Sequence, residues 1–472
     1  MGEGFLCLVV KGMDLMALHE ECGIFGIYDS MGSCAEDVYY GLYALQHRGQ
    51  ESCGIAAIND RELSFHRSVG LVGDTFTEKQ LEQLNGTMAI GHVRYSTAGG
   101  AGLENAQPLT LRYAKGTLAI AHNGTLINAD KLRNDYEYKG AIFHTTSDTE
   151  IIAYAIAQER LHSGSAEEAV NRAMKRLKGA FSLVIMSPQK LIAARDPWGF
   201  RPLCMGRRGD SIVFASESCA LDAVGAQYVR EVEPGEIICV YNGEVKSIRD
   251  NCRNMSNLCI FEYIYFSRPD SSIAGQSVHE ARLFAGMELA KENPVEADVV
   301  VGVPDSGLSA AQGYSMQSGI PLGTGFIKNR YIGRTFIAPT QKEREKAVRI
   351  KLNPLRHAVE GKRVVMVDDS IVRGTTSKPI VKLLRDAGAT EVHVRISSPE
   401  FISPCYFGTD IPDKSELVSC KYSPKELAEL LEADSLGFLS IDSLKNITPN
   451  ANCTFCDACF TENYAIRPGE ED

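Results

Sequence analysis

The stretch Arg363-Val-Val-Met-Val-Asp-Asp-Ser-Ile-Val-Arg-Gly-Thr-Thr376 decides how the second half of the chain folds. Its first half is a short β-branched run without polar interruption, which predicts a buried parallel strand. Two carboxylates, Asp368 and Asp369, stand where that strand must end. A loop carrying Ser370, Arg373, Gly374, Thr375 and Thr376 follows, and Pro379-Ile-Val-Lys-Leu-Leu-Arg385 then has a helical pattern. Strand, acidic pair, hydroxylated loop and helix at the carboxyl edge of a sheet make a ligand site. Backbone N–H groups and hydroxyls at a helix start suit a phosphate. Adjacent acids suit Mg²⁺ or the hydroxyls of a ribose. The commonest phosphate loop, G-x-x-x-x-G-K-[ST], is absent from the chain. The plainer alternative is a βα turn with incidental acids and a capping Thr.

The same residues resemble the phosphoribosylpyrophosphate (PRPP) motif of type I phosphoribosyltransferases. The resemblance implies that Asp368 and Asp369 hold the ribose hydroxyls and that residues 370–376 wrap the 5′-phosphate. A second small-residue loop, Asp305-Ser-Gly-Leu-Ser309, follows the strand-like Asp298-Val-Val-Val-Gly-Val-Pro304. Alone it is an ordinary turn and helix cap. Paired with the 363–376 stretch, the resemblance gives Asp305 and Ser306 the pyrophosphate, with Ser306, Asp368 and Asp369 around one Mg²⁺ per subunit.

Length and composition set the frame. A chain of 472 residues predicts two or three domains. A hydrophobic content of 44% with 23% charged residues is that of a soluble globular protein. No apolar run approaches the ~20 residues of a membrane span, and Phe5-Leu-Cys-Leu-Val-Val10 is too short for a signal peptide and lacks its basic flank. A cytoplasmic protein without a membrane partner is expected. The net charge of −11 argues against nucleic acid as a partner. An anionic substrate then needs local cations, which occur at Lys328-Asn-Arg-Tyr-Ile-Gly-Arg334 and on to Lys351. This segment reads as a mobile loop that a phosphate-rich ligand could order.

Residues 41–54, 91–99, 119–125 and 145–150 follow Glu20-Glu-Cys-Gly-Ile-Phe-Gly-Ile27 in a fixed order. Each has a plain reading. Cys22 is a buried strand cysteine, Arg94 an ion-pair partner, Asn123-Gly124 a hairpin turn and Asp148 a helix cap. Together they resemble the glutamine amidotransferase domain of the N-terminal-nucleophile class. The resemblance implies a propeptide of residues 1–21 and a nucleophilic Cys22 that uses its freed α-amino group as base, whose reference pKa is ~7.7–8.0. It implies an oxyanion hole of Asn123 and the Gly124 N–H. Arg94 would pair with the glutamine α-carboxylate and Asp148 with the α-ammonium. Cys53, the nearest candidate for a strand-to-helix nucleophile elbow, lacks a preceding apolar strand.

Alternating strands continue to the hairpin signal Asn242-Gly243, and a polar stretch at 250–257 marks the expected boundary. The fold class expected is α+β followed by α/β: an N-terminal-nucleophile α/β/β/α sandwich over 22–252, then a type I phosphoribosyltransferase parallel-sheet domain over 253–472. Fourteen cysteines in such a chain are not a disulfide framework. The dense tail Cys453-x-x-Cys456-x-x-Cys459 points to zinc or an iron–sulfur cluster. The whole set of motifs is similar to the iron–sulfur-bearing branch of the glutamine PRPP amidotransferases. That resemblance implies one [4Fe–4S] cluster per subunit on Cys259, Cys405, Cys453 and Cys456, with Cys459 spare. It also implies a homotetramer that makes 5-phosphoribosylamine from glutamine and PRPP in the committed step of purine biosynthesis. Purine nucleotides would inhibit it, at Lys328 and Arg334. A salvage phosphoribosyltransferase or a non-catalytic PRPP sensor would not require Cys22, Arg94 and Asn123.

Overall fold

The computed structural model describes residues 22–95, 100, 102–329, 350–374, 376–409, 411 and 413–469. The chain divides into two compact units. Among the described residues, the first takes in Cys22 through Arg282 together with Ile402–Asp413 and Ile447 onward, and the second takes in Leu283–Phe401 and Lys414–Asn446.

The first unit is built on β1 (Gly23–Tyr28), β2 (Ser52–Asn59), β3 (Glu62–Val69), β4 (Met88–Arg94), β5 (Leu109–Tyr113), β6 (Gly116–Asn123) and β7 (Ser182–Ser187). It continues with β8 (Lys190–Arg195), β9 (Cys204–Arg208), β10 (Ser211–Ala215), β11 (Gln227–Glu231), β12 (Ile237–Tyr241) and β13 (Glu244–Ile248). One sheet has the order β11-β9-β10-β1-β4-β2-β3 and the other β13-β12-β8-β7-β6-β5. Both faces of the central strands are apolar because both are covered. Ile24, Ile90, Ala121, Val184, Leu191 and Ile238 fill the space between the sheets. One residue along β1, Phe25 faces the opposite way, among Val38 and Leu42 of the helix Cys34–Ala44. On the far side, Leu183 and Ile185 pack with Ile152, Ile156 and Val170 of the helices Asp148–Leu161 and Ala166–Met174. This is the expected α/β/β/α sandwich. Short pairs follow: β14 (Leu258–Cys259), then β15 (Ser272–Ile273) against β16 (Gln276–Ser277).

The second unit holds a parallel sheet of β17 (Val299–Gly302), β20 (Arg363–Asp368), β21 (Glu391–Ile396) and β22 (Ser435–Phe438) in the order β17-β20-β21-β22, with the hairpin of β18 (Phe326–Lys328) and β19 (Leu352–Pro354) beside it. Val364, Val365, Met366 and Val367 are fully buried. Each such side chain contributes roughly 1.5–3 kcal/mol by leaving water. That outweighs the ~1 kcal/mol span of intrinsic strand preference, so burial on both faces makes this run the inner strand β20.

The tail then returns to the first unit, where β23 (Phe455–Cys456) pairs in parallel with β14. The expected boundary at 252/253 therefore differs from this division, in which residues 253–282, 402–413 and the tail all pack in the first unit. The polar stretch at 250–257 is a connection within that unit. Charged groups such as Glu262 that tie the later segments down left no periodic signal.

Gly26 sits where the two sheets press closest: a Cβ there would lie 2.5 Å from Val184 Cγ1. Gly26→Ala is expected to destabilise the first unit by about 1–3 kcal/mol through overpacking. Thermal melts should show the loss, and Val184→Ala in the same chain should recover part of it.

Candidate active sites

In the first unit the chemistry collects where β1, β4 and β6 end. Cys22, immediately before β1, is buried, and its Sγ donates to the Tyr95 carbonyl at 3.3 Å. Its own carbonyl accepts from Arg48 Nε at 3.0 Å. Arg94, the last residue of β4, is buried and donates from Nη1 to Gly100 O at 3.0 Å. Asn123 closes β6, fully buried, with neither Nδ2 nor Oδ1 partnered among the described residues. A buried amide left so costs about 1–3 kcal/mol, which a fold tolerates where a ligand completes it. Gly124 follows at φ 134°, and a Cβ there would stand 2.3 Å from Ala180 O. Only glycine lets this peptide turn so tightly.

Asp148 opens its helix, buried beside this strand end. Its Oδ2 accepts from the Leu126 N–H at 2.9 Å, and its Oδ1 lies 3.6 Å from His122 Nδ1. Burial works to raise its pKa, but His122 and the backbone donors outweigh burial and hold the carboxyl below its ordinary range. His122 is fixed in turn by Thr149 Oγ1 at 3.2 Å, and its carbonyl accepts from His92 Nε2 at 2.9 Å. Burial drives the His92 pKa down to about 3, so this ring stays neutral. The five expected residues Cys22, Arg94, Asn123, Gly124 and Asp148 thus stand at neighbouring strand and helix ends. Arg48, His92 and His122 were missed, although Gln46-His-Arg-Gly49 and Ala121-His-Asn123 held them in plain view. Their chemistry is directed at the backbone and at other side chains, which no local pattern announces.

Behind Cys22 runs a buried ionic chain. Arg48 Nη1 donates to Glu217 at 2.7 Å and to Glu262 Oε2 at 2.9 Å, and its Nη2 donates to Glu262 Oε1 at 2.8 Å. Burial alone would raise both carboxyls, yet the cations beside them hold both below the ordinary range. The groups beside them are His47 and Arg48 for Glu217, and Arg48 and Arg201 for Glu262.

The tail cysteines meet two others here. The β14–β23 register sets Cys259 directly across from Cys456. Cys405 Sγ accepts from Phe407 N at 3.4 Å, and the N–H groups of Ile402 and Ser403 bond to Cys459 O. Burial pushes the Cys456 thiol up to about 12 and raises Cys259 and Cys459 well above the ordinary value. Charge on the neighbouring sulfurs adds to this: Cys405 and Cys456 act on Cys259, and Cys259, Cys405 and Cys456 act on Cys459. Cys453, expected in this set, instead lies near Arg195 and Glu231, with its thiol raised to about 11. Cys459, expected to be spare, is the sulfur that joins the other three. Two equal C-x-x-C spacings share Cys456, so spacing alone had no means of choosing between them. Among the described residues no group of three or more His, Cys, Asp or Glu is closed around a metal position. Sulfurs gathered this way, with Cys259, Cys456 and Cys459 all raised, still suit a cationic cluster, since thiolates can share such a place only with positive charge among them.

In the second unit the two expected loops lie side by side at the ends of β17 and β20. Val303 N donates to Val367 O at 2.9 Å, and a Cβ on Gly307 would fall 2.5 Å from the same oxygen. This close approach brings Ser306 Oγ to Asp369 Oδ1 at 2.5 Å, while Ser370 donates to Asp369 Oδ2. Burial and the adjacent Asp369 charge push Asp368 well above the ordinary carboxyl range. A cation or hydroxyl donors would relieve that repulsion. Arg373 pairs with Glu416 at 3.1 Å, Gly374 turns at φ 72°, and Thr376 stands at the start of the helix Ser377–Asp386. Lys328 is paired with Asp305. Thr375, Arg334 and most of the 328–351 loop lie outside the described residues.

Comparison with known proteins matches these two constellations separately and together. A glutamine amidotransferase domain model matches residues 92–223, and a phosphoribosyl transferase domain model matches residues 278–397. An amidophosphoribosyltransferase of Methanocaldococcus jannaschii is 48% identical over 94% of this chain and 97% of its own. One from Bacillus subtilis is 50% identical over 96% and 95%. Among solved structures, the B. subtilis glutamine PRPP amidotransferase complexed with ADP and GMP superposes with a TM-score of 0.88 at 49% identity, over 95% of this chain and 98% of that one.

The depressed pKa of Asp148 has a measurable sign. A carboxylate lowered on folding adds stability above its unfolded pKa of ~4, and loses it as pH falls through the folded value. Asp148→Asn is expected to lower Tm at pH 7. The gap to wild type should narrow as melts are repeated toward pH 3.

Proposed function

Because the chain belongs to the amidophosphoribosyltransferases, which are glutamine-dependent pentosyltransferases, we propose which of its residues carry each half of that reaction. The enzyme takes glutamine, PRPP and water to 5-phosphoribosylamine, pyrophosphate and glutamate. The observation that carries the residue assignment is the buried Asn123 amide, without a partner among the described residues, at the end of β6 in the same unit as the buried Cys22, Arg94 and Asp148.

Scission between Glu21 and Cys22 frees an α-amino group that takes the Cys22 thiol proton. Sulfur attacks the carboxamide carbon, and the oxyanion is held by Asn123 Nδ2 and the Gly124 N–H. Loss of one such donor typically costs about 3–4 kcal/mol of transition-state stabilisation. Ammonia leaves, and water cleaves the thioester to glutamate. Arg94 takes the α-carboxylate and Asp148 the α-ammonium, so the ionised state of Asp148 serves binding. In the second half-reaction ammonia attacks C1 of PRPP as pyrophosphate departs. Ammonia is mostly protonated in neutral water, so a dry passage between the half-reactions keeps it nucleophilic. Asp368 and Asp369 hold the ribose hydroxyls, residues 370–376 the 5′-phosphate, and Asp305 and Ser306 the pyrophosphate. Ser306, Asp368 and Asp369 would hold Mg²⁺, which neutralises charge on the leaving pyrophosphate. Closure of the 328–351 segment over PRPP would exclude water.

The cysteine site is assigned to Cys259, Cys405, Cys456 and Cys459 as the ligands of a structural [4Fe–4S] cluster, supported by the pairing of Cys259 opposite Cys456 and by the influence of the neighbouring sulfurs on Cys259 and Cys459. Purine nucleotides are proposed as inhibitors, in keeping with the ADP and GMP in the B. subtilis relative, with Lys328 and Arg334 as their contacts. A homotetramer in the cytoplasm is the assembly proposed. No helix among the described residues is long and apolar enough to cross a membrane.

Pyrophosphate release from PRPP and Mg²⁺ tests the nucleophile. Cys22→Ala should lose the glutamine-dependent rate and keep the ammonium-dependent one, whereas an unchanged glutamine rate would reject the assignment. The ligand set is tested by iron content and visible absorbance: Cys459→Ser should lose both, and Cys453→Ser should retain them.

A further inference from the structure

We propose that Arg201 is a positioning residue for glutamine hydrolysis, setting from behind both the nucleophile and the oxyanion peptide. The proposal rests on the reading that Cys22, Asn123 and Gly124 form the glutamine site.

Arg201 is fully buried in the segment between β8 and β9. Its Nε and Nη2 donate to Phe407 O at 3.2 and 2.8 Å, and Nη2 also donates to Thr409 Oγ1 at 3.2 Å. Its Nη1 lies 3.7 Å from Glu262 Oε1. Glu262 is the carboxylate that Arg48 grips, and Arg48 Nε holds the Cys22 carbonyl at 3.0 Å. One arm therefore leads from Arg201 through two ion pairs to the backbone of the nucleophile. The other leads through the segment that Arg201 pins. Gly408, at φ 114°, lies so close that a Cβ would sit 3.2 Å from Arg201 Nη2, 3.3 Å from Gly124 C and 3.3 Å from Thr125 Oγ1.

The same guanidinium thus stands behind both parts of the half-site that must be aligned to well under an ångström, since a 1 Å misplacement costs about 10²-fold in rate. It touches none of the reacting atoms. A planar fork serves a carbonyl, a hydroxyl and a carboxylate at once, which the point charge of a lysine does not.

The test compares wild type, Arg201→Lys, Thr409→Val and Gly408→Ala, each as the full chain. The readouts are glutamine- and ammonium-dependent pyrophosphate release, glutamine KM and thermal melts. Arg201→Lys should lower the glutamine-dependent kcat by roughly 10- to 100-fold. Glutamine KM should stay nearly constant, because Arg94 and Asp148 are untouched, and the ammonium-dependent rate should hold. Gly408→Ala should give the same split, as should Thr409→Val more weakly. Both rates falling together, in step with loss of folded protein, would show a merely structural role and overturn the proposal. If Arg201→Lys does not fold, the other two variants decide, and an unchanged glutamine kcat in both overturns it. Cys22→Ala in parallel separates this outcome from failure of the glutamine-site reading, which its own glutamine rate reports.

Discussion

The first unit depends on a group of charges that water never reaches. Arg48, Glu217, Glu262 and Arg201 are each at most 1% exposed. Taking any one of these ions out of water costs several kcal/mol, and removing one partner from such a set typically costs 3–5 kcal/mol. The arrangement is stable because geometry supplies what solvent would: Arg48 makes paired bonds to Glu262, and Ser267 donates to Glu262 and Ser271 to Glu217. An apolar core of equal volume would hold the sheets as well. It would not fix the direction of a carbonyl, and the Cys22 carbonyl is what Arg48 holds.

The second unit solves the opposite problem. At Asp368 and Asp369 like charges are placed together, and burial with the Asp369 charge drives Asp368 toward its neutral form. Such a pair is poor at stabilising a fold and well suited to receiving a cation with its phosphates. The two units therefore use carboxylates in contrasting ways: set against cations behind Cys22, and set against each other at the end of β20.

How much of this was legible depended on whether a residue works through its neighbours in sequence. The buried strand at 363–368, the acids at its end and the Asn242-Gly243 hairpin are local signals, and each appears where its pattern places it. Asn123 and Asp148 were legible through their order relative to Cys22, since alone each suits an ordinary turn or cap. Glu262 and Arg201 were illegible. They sit among apolar residues without periodicity, and their partners lie up to 214 residues away. The choice between Cys453 and Cys459 was illegible for a different reason: the repeat is symmetric about Cys456, and only the surroundings, Cys259 and Cys405 for Cys459 but Arg195 and Glu231 for Cys453, break that symmetry.

The parallel pairing of β14 with β23, and the seat of Gly408 against Gly124, carry a consequence for the timing of synthesis. Domains generally fold as units while the chain is still being made, N-terminal part first. Here Gly124 has behind it Gly408, made more than 280 positions later, and β14 finds its partner strand in a tail made later still. A ribosome-bound chain can build both sheets and bury Cys22, but the Gly124 peptide lacks its close neighbour Gly408 until 402–413 has emerged. On the proposed assignment of Cys22 and Gly124, the half-site translated near the start is therefore among the last parts to be completed.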